Sequence, residues 1–325
     1  MESGRPGDMR CNLCPRKCNI ERPEHAGETV RNFCGEGNTM RISRAALHFW
    51  EEPCISGSRG SGAVFFTGCN LKCIYCQNAA ISENGKGREV SPEELCEIFF
   101  DLKKQGANNI NLVTPSHFVP GIVSAIRLSK ERGFDLPFVC NSSAYESVET
   151  LKKLDGLIDI YLPDFKYTDT TMAANYSHAK DYPVVAKAAI AEMMRQVPFP
   201  FFDAEKTGTE EEPKEEYRIM KKGVIIRHLV LPLGVKNSLA VIDYLNETYG
   251  PSVYISVMSQ YTPLYDVPGA LTEAQRKRLS AFPALHRKVT KREYEKVLSH
   301  CMELGLENVF IQEGDVAKES FIPPF

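Results

Sequence analysis

Residues 63–76, AVFFTGCNLKCIYC, join a short apolar run to three closely spaced cysteines. The apolar run has the composition of a buried strand, and a glycine ends it. Cys69, Cys73 and Cys76 follow with C-x3-C-x2-C spacing, so a tight loop can bring their sulfurs to one side. Three thiolates can hold three irons of a [4Fe–4S] cube and leave the fourth iron open for a small molecule. The alternative is a zinc loop completed by a distant ligand.

Beyond this motif, strand patterns alternate with helix patterns to the end of the chain. Predicted strands lie at 63–67, 109–113, 138–141, 158–164, 224–231, 253–257 and 308–312. Predicted helices lie between a capping box at 91–94 and Gly106, and at 120–131, 145–154, 172–197 (one or two helices), 238–249 and 290–304. Such alternation predicts an α/β fold, a partial or full (β/α) barrel, with a doubly wound sheet as the alternative. Functional groups then belong at the C-terminal ends of the strands.

An acidic, proline-containing segment at 198–222 interrupts the alternation. It is typical of a surface insertion with a mobile middle, and a solvated loop explains it better than a substrate lid. We therefore expect two parts, a Cys-rich metal-binding segment at 1–60 and a barrel at 61–325 that carries the insertion.

The composition disfavours several classes of protein. The 325 residues carry a net charge of −3 and are 43% apolar, which argues against a disordered chain and against a purely electrostatic nucleic-acid binder. The chain has no apolar run long enough for a bilayer, and its N-terminus lacks the apolar region of a signal peptide. We therefore expect a cytoplasmic protein without a membrane partner, in a reducing compartment where clustered cysteines are usually metal ligands.

Eight of the eleven cysteines lie in the first quarter of the chain. Four of them are the candidate ligands of a second metal site: Cys11, Cys14, Cys18 and Cys34. Cys54 competes with Cys34 for the fourth position. Zinc and an auxiliary [4Fe–4S] cluster fit these thiolates equally well, and metal binding would be coupled to folding because the segment is poor in apolar residues.

Several other residues attract attention. Arg227 and His228 are adjacent in a predicted strand and point to opposite faces, so one of them packs against helices. His117 lies just past a strand end and is a candidate for a rim or substrate contact. Trp50, the single tryptophan, is expected to be a packing anchor. The cysteines at 96, 140 and 301 are expected to be buried or incidental, with Cys96 on the non-apolar side of its helix.

The cysteine triplet, with an aromatic residue just before its last cysteine, resembles the signature of the radical S-adenosylmethionine (SAM) superfamily. Further blocks resemble the PflX-type branch, a group named for pyruvate formate-lyase activation, over nearly the whole chain. They are HFWEEPCISG at 48–57, GSG at 60–62, NLVTP at 111–115, YLPDFKY at 161–167, RHLVLP at 227–232 and MSQYTP at 258–263.

The resemblance implies a [4Fe–4S] cluster on the cysteine triplet, with SAM bound to the open iron. It also implies SAM contacts from six residues, namely Tyr75 near the adenine and Thr114, Asn141, Asp164, Lys166 and Arg227 at strand ends. The 111–115 block departs from the Gly-Gly-Glu pattern frequent in the superfamily, because it contains no glycine and no glutamate. The alternative for Asp164 and Lys166 is a salt bridge at the rim.

The activity implied by the resemblance is reductive cleavage of SAM to a 5′-deoxyadenosyl radical, which abstracts a hydrogen atom. The implied substrate is a glycyl Cα of a partner enzyme, and the implied electron donor is a flavodoxin or ferredoxin. Radical modification of a small molecule or peptide is an alternative. A non-catalytic zinc or iron–sulfur module acting on RNA is an alternative of another class, disfavoured because the chain has no basic, aromatic-interleaved stripe.

Overall fold

The computed structural model describes residues 10–25, 32–83, 86–204, 218–265, 267 and 271–312. The strands are β1 Met40–His48, β2 Ser61–Phe66, β3 Arg88–Val90, β4 Ile110–Val113, β5 Phe138–Ser142, β6 Ile160–Pro163, β7 Phe201–Ala204, β8 Arg218–Leu229, β9 Tyr254–Met258 and β10 Val309–Ile311. The α-helices are α1 Pro53–Ser56, α2 Ala79–Ser82, α3 Pro92–Lys104, α4 Val119–Glu131, α5 Val148–Leu151, α6 Thr170–Ser177, α7 Tyr182–Gln196, α8 Val235–Tyr249, α9 Glu273–Ser280 and α10 Lys291–Glu303. Short 3-10 helices lie at Ser116–Phe118, Lys152–Leu154, Gly250–Ser252 and Pro283–His286.

Seven strands form a parallel sheet in chain order, β2, β4, β5, β6, β8, β9 and β10. β1 pairs antiparallel with β2 and carries β3 at the edge of the sheet. In the described part of the chain, β3 and β10 are the two ends of the strand order, so the sheet is an open, partial barrel. The parallel strands follow one another without a reversal of order, which excludes the doubly wound alternative and confirms the partial barrel.

The parallel strands are buried because both faces of the sheet are covered. Every residue of β2, β4, β5 and β6 is buried. The predicted capping box starts α3, with the Ser91 hydroxyl accepting from the Glu94 amide at 3.2 Å and the Glu94 carboxylate accepting from the Ser91 amide at 2.8 Å. Helix and strand signals of this kind therefore located most elements of the barrel.

The first 60 residues contain a strand that the sequence pattern did not predict. β1 is only partly buried along most of its length, so it lacks the alternation that marks a half-buried strand. It belongs to the sheet through its pairing with β2. The boundary expected at residue 60, between the Cys-rich segment and the barrel, therefore lies after β1. The first 60 residues thus contribute a strand to the sheet.

The insertion at 198–222 begins and ends in regular structure. β7 pairs antiparallel with the first residues of β8, and Phe202 lies opposite Met220. The ring of Phe202 also contacts Tyr254 edge to face, with centroids 5.3 Å apart. The prediction of a loop over the whole segment was thus wrong at both ends, since side-chain packing extends β8 to Arg218. The expected mobile middle, 205–217, lies outside the described residues.

The cysteines at 96, 140 and 301 are all buried. Cys96 is fully covered, so its predicted place on the non-apolar side of α3 was wrong. Arg132 of the chain following α4 covers it and donates a hydrogen bond to its sulfur at 3.4 Å. Packing between α3 and α4 therefore widens the buried face of α3 beyond its apolar stripe.

A short segment before β2 fills the concave face of the partial barrel. Cys54 and Ile55 of α1 pack against inward-facing residues of β5, β6 and β8, namely Val139, Ile160, Leu162, Met220 and Ile225. The Asn109 amide donates to the Ile55 carbonyl at 2.8 Å and fixes the segment beside β4. A cavity beside this plug lies near the C-terminal ends of the strands.

Truncation of the plug should destabilise the whole fold. Ile55 is fully buried, so Ile55→Ala is expected to lower the free energy of unfolding by about 2–5 kcal/mol. Val184→Ala is the control, because Val184 is 73% exposed and its loss should change stability by no more than about 0.5 kcal/mol. Urea unfolding followed by circular dichroism measures both. Equal stabilities of the two variants would contradict the role of the plug.

Candidate active site

A cavity of about 260 Å³ lies at the C-terminal ends of the parallel strands, beside the cysteine loop. Its lining includes all nine residues predicted for the cluster and for SAM, which are Cys69, Cys73, Tyr75, Cys76, Thr114, Asn141, Asp164, Lys166 and Arg227. The residues come from the loop after β2 and from the ends of β4, β5, β6 and β8. The parallel sheet therefore brings together side chains that are up to 158 positions apart in the chain.

The loop after β2 presents the three cysteines to this cavity. Gly68 takes a left-handed conformation (φ +76°), and a Cβ there would lie 2.5 Å from Glu36 Cγ and 2.8 Å from the Cys34 carbonyl oxygen. Lys72 is also left-handed (φ 50°), and the Cys76 amide donates to the Cys73 carbonyl at 3.0 Å. These turns fold the loop back on itself and direct its sulfurs to the cavity.

The chemistry of the triplet suits ligation of iron. All three thiols are free. Burial is the main cause of the raised thiol pKa values, about 11 for Cys73 and about 12 for Cys76, and the charges of neighbouring cysteines act in the same direction. Such thiols ionise when a cation replaces the proton, as metal binding does. Lys166 opposes this rise in the pKa of Cys73, but burial outweighs it and keeps the free thiol protonated.

Among the described residues, no three His, Cys, Asp or Glu side chains are gathered as one metal ion requires. A zinc loop completed by a distant ligand is therefore the alternative that metal analysis of the reconstituted protein distinguishes from a cluster.

Arg227 of β8 occupies the centre of the polar rim. Its guanidinium donates to Asp164 Oδ1 at 2.9 Å, Glu51 Oε2 at 3.0 Å and Asn141 Oδ1 at 2.5 Å. Lys166 Nζ lies 2.7 Å from the other oxygen of Asp164. Burial opposes ionisation of Asp164, yet Arg227 and Lys166 outweigh it and lower the pKa of its carboxyl. The rim thus stays charged and combines anionic and cationic groups.

Glu51 belongs to the same rim, and the sequence prediction missed it. It lies between β1 and α1, where its carboxylate accepts from Arg227, from Asn111 at 2.9 Å and from Asn141 at 3.3 Å. Only 10% of its side chain is exposed. The 48–57 block that contains it was noted for its resemblance, but no local pattern indicates that this segment crosses the concave face of a sheet formed later in the chain.

Thr114 and Tyr75 line the cavity, Thr114 in a left-handed backbone conformation and Tyr75 through a buried hydroxyl contact. Thr114 has φ 59°, which is costly for a β-branched residue, and its amide donates to the Asn141 carbonyl at 2.9 Å. The Tyr75 hydroxyl lies 2.5 Å from that of Tyr167, which in turn lies 2.9 Å from Ser177 Oγ. Ser177 Oγ is 2.9 Å from Cys73 Sγ, so a buried chain of hydroxyls ends at a cluster ligand. Ser177 carried no signal in the sequence, and Tyr167 was noted only as the last residue of the 161–167 block.

The histidine and tryptophan predictions had mixed outcomes. His228 is buried between the Phe165 carbonyl and Ser238 Oγ of α8, which confirms that one of the 227–228 pair packs against helices. His117 is 2% exposed and bonds the Thr67 carbonyl at 2.6 Å, and burial lowers its pKa to about 3. It is therefore not a rim contact. Trp50 is 62% exposed and borders the cavity, so it is not a buried packing anchor.

The N-terminal cysteines do not line the cavity. They belong to the segment that packs against the cysteine loop. Burial raises the pKa of Cys14 to about 12 and that of Cys34 to about 11, and each thiol lies close enough to Cys11 for its charge to contribute. Cys54 packs in the plug of the barrel. It is therefore separated from this group, and Cys34 is the better fourth partner.

Comparison with known proteins identifies the central part of this architecture. A model of the radical SAM superfamily matches residues 63–195, from β2 to the end of α7. This segment is a radical SAM domain. The match supports the predicted superfamily over these residues, and radical SAM domains imply a [4Fe–4S] cluster and SAM as cofactors.

Relatives extend the similarity beyond the domain. The chain is 27% identical over 308 residues to an uncharacterised protein of Methanocaldococcus jannaschii, which covers 92% of this chain and 76% of that protein. It is 32% identical over 111 residues to another protein of the same organism, whose name proposes a glycyl-radical enzyme activating function. That match covers 33% of this chain and 44% of the relative.

Solved structures of low sequence identity also align with the chain. One is Streptococcus suis SuiB bound to SAM, with a TM-score of 0.47, 13% identity, and coverage of 76% of this chain and 48% of that one. Another is a radical SAM methyltransferase from Sphaerobacter thermophilus, with a TM-score of 0.48, 13% identity, and coverage of 78% and 67%. The chain thus spans about half the length of the SuiB chain. Within the described residues, no helix is long and apolar enough to cross a membrane.

A methyl group at position 68 should disturb the cysteine loop. Gly68→Ala is expected to lower the iron bound after anaerobic reconstitution with iron and sulfide, because the new Cβ collides with Glu36 and the Cys34 carbonyl. Gly106→Ala is the control, since Gly106 shares the left-handed conformation but has no atom within 4 Å of a Cβ. It carries backbone strain of about 1–2 kcal/mol without the collision. Equal iron content in the two variants would contradict the packing argument.

Proposed function

We propose that the chain is a radical SAM enzyme that cleaves SAM reductively and uses the resulting radical to abstract a hydrogen atom. The observation that carries this proposal is the convergence of Cys69, Cys73 and Cys76 with a charged rim around one cavity, inside the segment matched by the radical SAM model. A cysteine triplet alone would serve a structural site equally well. The rim adds groups suited to a zwitterionic, hydroxyl-bearing ligand beside the triplet.

The chain's own residues would hold and orient the reactants. Cys69, Cys73 and Cys76 would ligate three irons, which leaves the fourth for SAM. When bound, the reduced cluster supplies the electron that splits SAM into methionine and a 5′-deoxyadenosyl radical. Ser177 would donate a hydrogen bond to the sulfur of Cys73, 2.9 Å away, and stabilise its thiolate.

The remaining rim residues would position SAM. Lys166 would attract the carboxylate, and Asp164 would accept from the ribose hydroxyls. Arg227 is already engaged by Asp164 and Glu51, so its main effect would be to hold Asp164 and Asn141 in place. Thr114 and Asn141 offer polar contacts at the neighbouring strand ends, and Tyr75 forms part of the wall, where it would lie near the adenine.

We further propose a glycyl radical enzyme as the substrate and a flavodoxin or ferredoxin as the electron donor, in the cytoplasm. The partial match to a protein named for glycyl-radical activation supports this choice. Modification of a peptide or small molecule is the competing substrate class. Incubation with deuterated candidate glycyl radical enzymes would distinguish them, since only the true substrate transfers deuterium to 5′-deoxyadenosine.

Loss of a cluster ligand should abolish SAM cleavage. Cys73→Ala is expected to reduce formation of 5′-deoxyadenosine by dithionite-reduced, reconstituted protein to background. Cys96→Ala provides a matched control, because Cys96 is also buried but lies on α3, outside the cavity. Chromatographic quantification of 5′-deoxyadenosine and methionine measures the result. Full cleavage by Cys73→Ala would refute the proposed enzyme.

Loss of the rim lysine should weaken SAM binding without removing the cluster. Lys166→Met is expected to raise the Kd for SAM roughly tenfold or more, as expected for a charged hydrogen bond worth about 1.5–3 kcal/mol. Lys291→Met is the control, because the Lys291 side chain is 88% exposed on α10. Equilibrium dialysis of labelled SAM against the reconstituted proteins, at equal iron content, gives the comparison. An unchanged Kd would assign Lys166 to a rim salt bridge instead.

A further inference from the structure

The described part of the N-terminal segment has almost no apolar core of its own. Between residues 10 and 39, the described chain forms no helix or strand, and its buried apolar side chains are the thiols Cys14 and Cys34. The buried polar residues of this segment are Arg22, Asn32 and Glu36. Segments that bury so little apolar surface need a cross-link or a metal to offset the entropy lost on ordering. The cysteines in it are all free, so a metal held by these thiols is the candidate cross-link.

Backbone hydrogen bonds gather three of its cysteines on one loop. The Cys11 amide donates to the Ile20 carbonyl at 2.8 Å, and the Asn19 amide donates back to the Cys11 carbonyl at 2.9 Å. Within the loop closed by this pair, the Lys17 amide donates to the Cys14 carbonyl at 3.0 Å. Cys11, Cys14 and Cys18 therefore share a compact turn, and the segment containing Cys34 packs beside it.

We propose that Cys11, Cys14, Cys18 and Cys34 hold a second iron–sulfur cluster, which anchors the N-terminal segment behind the loop of the catalytic cysteines. Four thiolates complete the ligation of a closed cluster, in contrast to the open triplet at the cavity. Zinc on the same four thiolates is the alternative, and the metal analysis below distinguishes the two.

Arg16, between Cys14 and Cys18, connects the proposed cluster to the catalytic loop. Its guanidinium donates to the carbonyls of Asn70 at 2.8 Å and Ser177 at 3.2 Å. Asn70 follows Cys69 directly, and the Ser177 hydroxyl contacts Cys73. The guanidinium also stacks over Phe33, 3.9 Å from the ring centroid, next to Cys34. Arg16 therefore contacts the chain next to Cys34 through Phe33. It also contacts the backbone beside Cys69 and the backbone of Ser177, whose hydroxyl lies against Cys73.

A second contact joins the same two regions. The Cys34 carbonyl and the Glu36 side chain lie against Gly68, so closely that only a residue without a Cβ fits there. Gly68 is the residue before Cys69. A cluster that fixes Cys34 would therefore also fix the start of the catalytic loop, and assembly of the two metal centres would be coupled.

Iron analysis of the full-length chain tests the second cluster. A variant with Cys69, Cys73 and Cys76 all changed to alanine is expected to retain about four irons after anaerobic reconstitution, against about eight in the unchanged protein. Adding Cys14→Ala and Cys34→Ala to this variant should remove that iron. Adding Cys96→Ala and Cys301→Ala instead should leave it, since those thiols lie elsewhere in the fold.

Two results would overturn the proposal. One is a triple variant that folds, by circular dichroism, but binds no iron. The other is a triple variant that holds about one zinc in place of iron. Should the triple variant fail to fold, Cys14→Ala with Cys34→Ala in the otherwise unchanged chain provides the test. The pair must lower iron by half or more, whereas Cys96→Ala with Cys301→Ala must not.

The proposed coupling between the N-terminal segment and the catalytic loop can be tested separately from the second cluster. Arg16→Ala should leave the iron of the triple variant unchanged, because Arg16 is not a ligand. In the otherwise unchanged protein, it should accelerate loss of the catalytic iron to a chelator severalfold, followed by visible absorption. Loss at the unchanged rate would show that the N-terminal segment does not support the catalytic loop.

Discussion

The ion pair between Arg227 and Asp164 holds the functional end of this fold together. Arg227 lies on β8 and Asp164 just after β6, and the guanidinium reaches Asn141 on β5 and Glu51 on the plug. A charge buried this deeply is tolerated only with such partners, because removing one would leave the others unpaired. The residues that line the cavity therefore depend on one another, and the ends of three strands are fixed relative to the segment that fills the concave face.

The second constraint is the packing of the N-terminal segment against the cysteine loop. The loop after β2 contains left-handed residues at Gly68 and Lys72, and it lies against both the N-terminal segment and the end of α6. Arg16 donates to its backbone at Asn70. A loop that must hold three ligands in one geometry needs such support, since precise ligand placement depends on the surrounding contacts. The N-terminal segment thus has a structural role at the catalytic centre whichever substrate the enzyme takes.

Much of this organisation was predictable, because it depends on local signals. The capping box of α3, the apolar run of β2 and the spacing of the triplet are each contained within a few residues. The residues predicted around SAM also converge, since parallel strands place their C-terminal ends at one edge. β1, β7 and the role of Glu51 were not predictable. β1 and β7 depend on pairing with a neighbouring strand, and Glu51 depends on residues far away in the chain, so the local pattern of burial is weak at all three.

The sequence by itself determined the cysteine triplet and the alternating helices and strands, because spacing and periodicity are local properties of the chain. Its resemblance to the radical SAM superfamily indicated nine of the residues that meet at the cavity. Only the tertiary structure decided that the barrel is open, that the 48–57 block fills its concave face, and that His117 is buried while Trp50 is exposed. It also separated Cys54 from the other N-terminal cysteines. These outcomes depend on which distant surfaces pack together, and that choice is made by the burial of the whole chain rather than by any one segment.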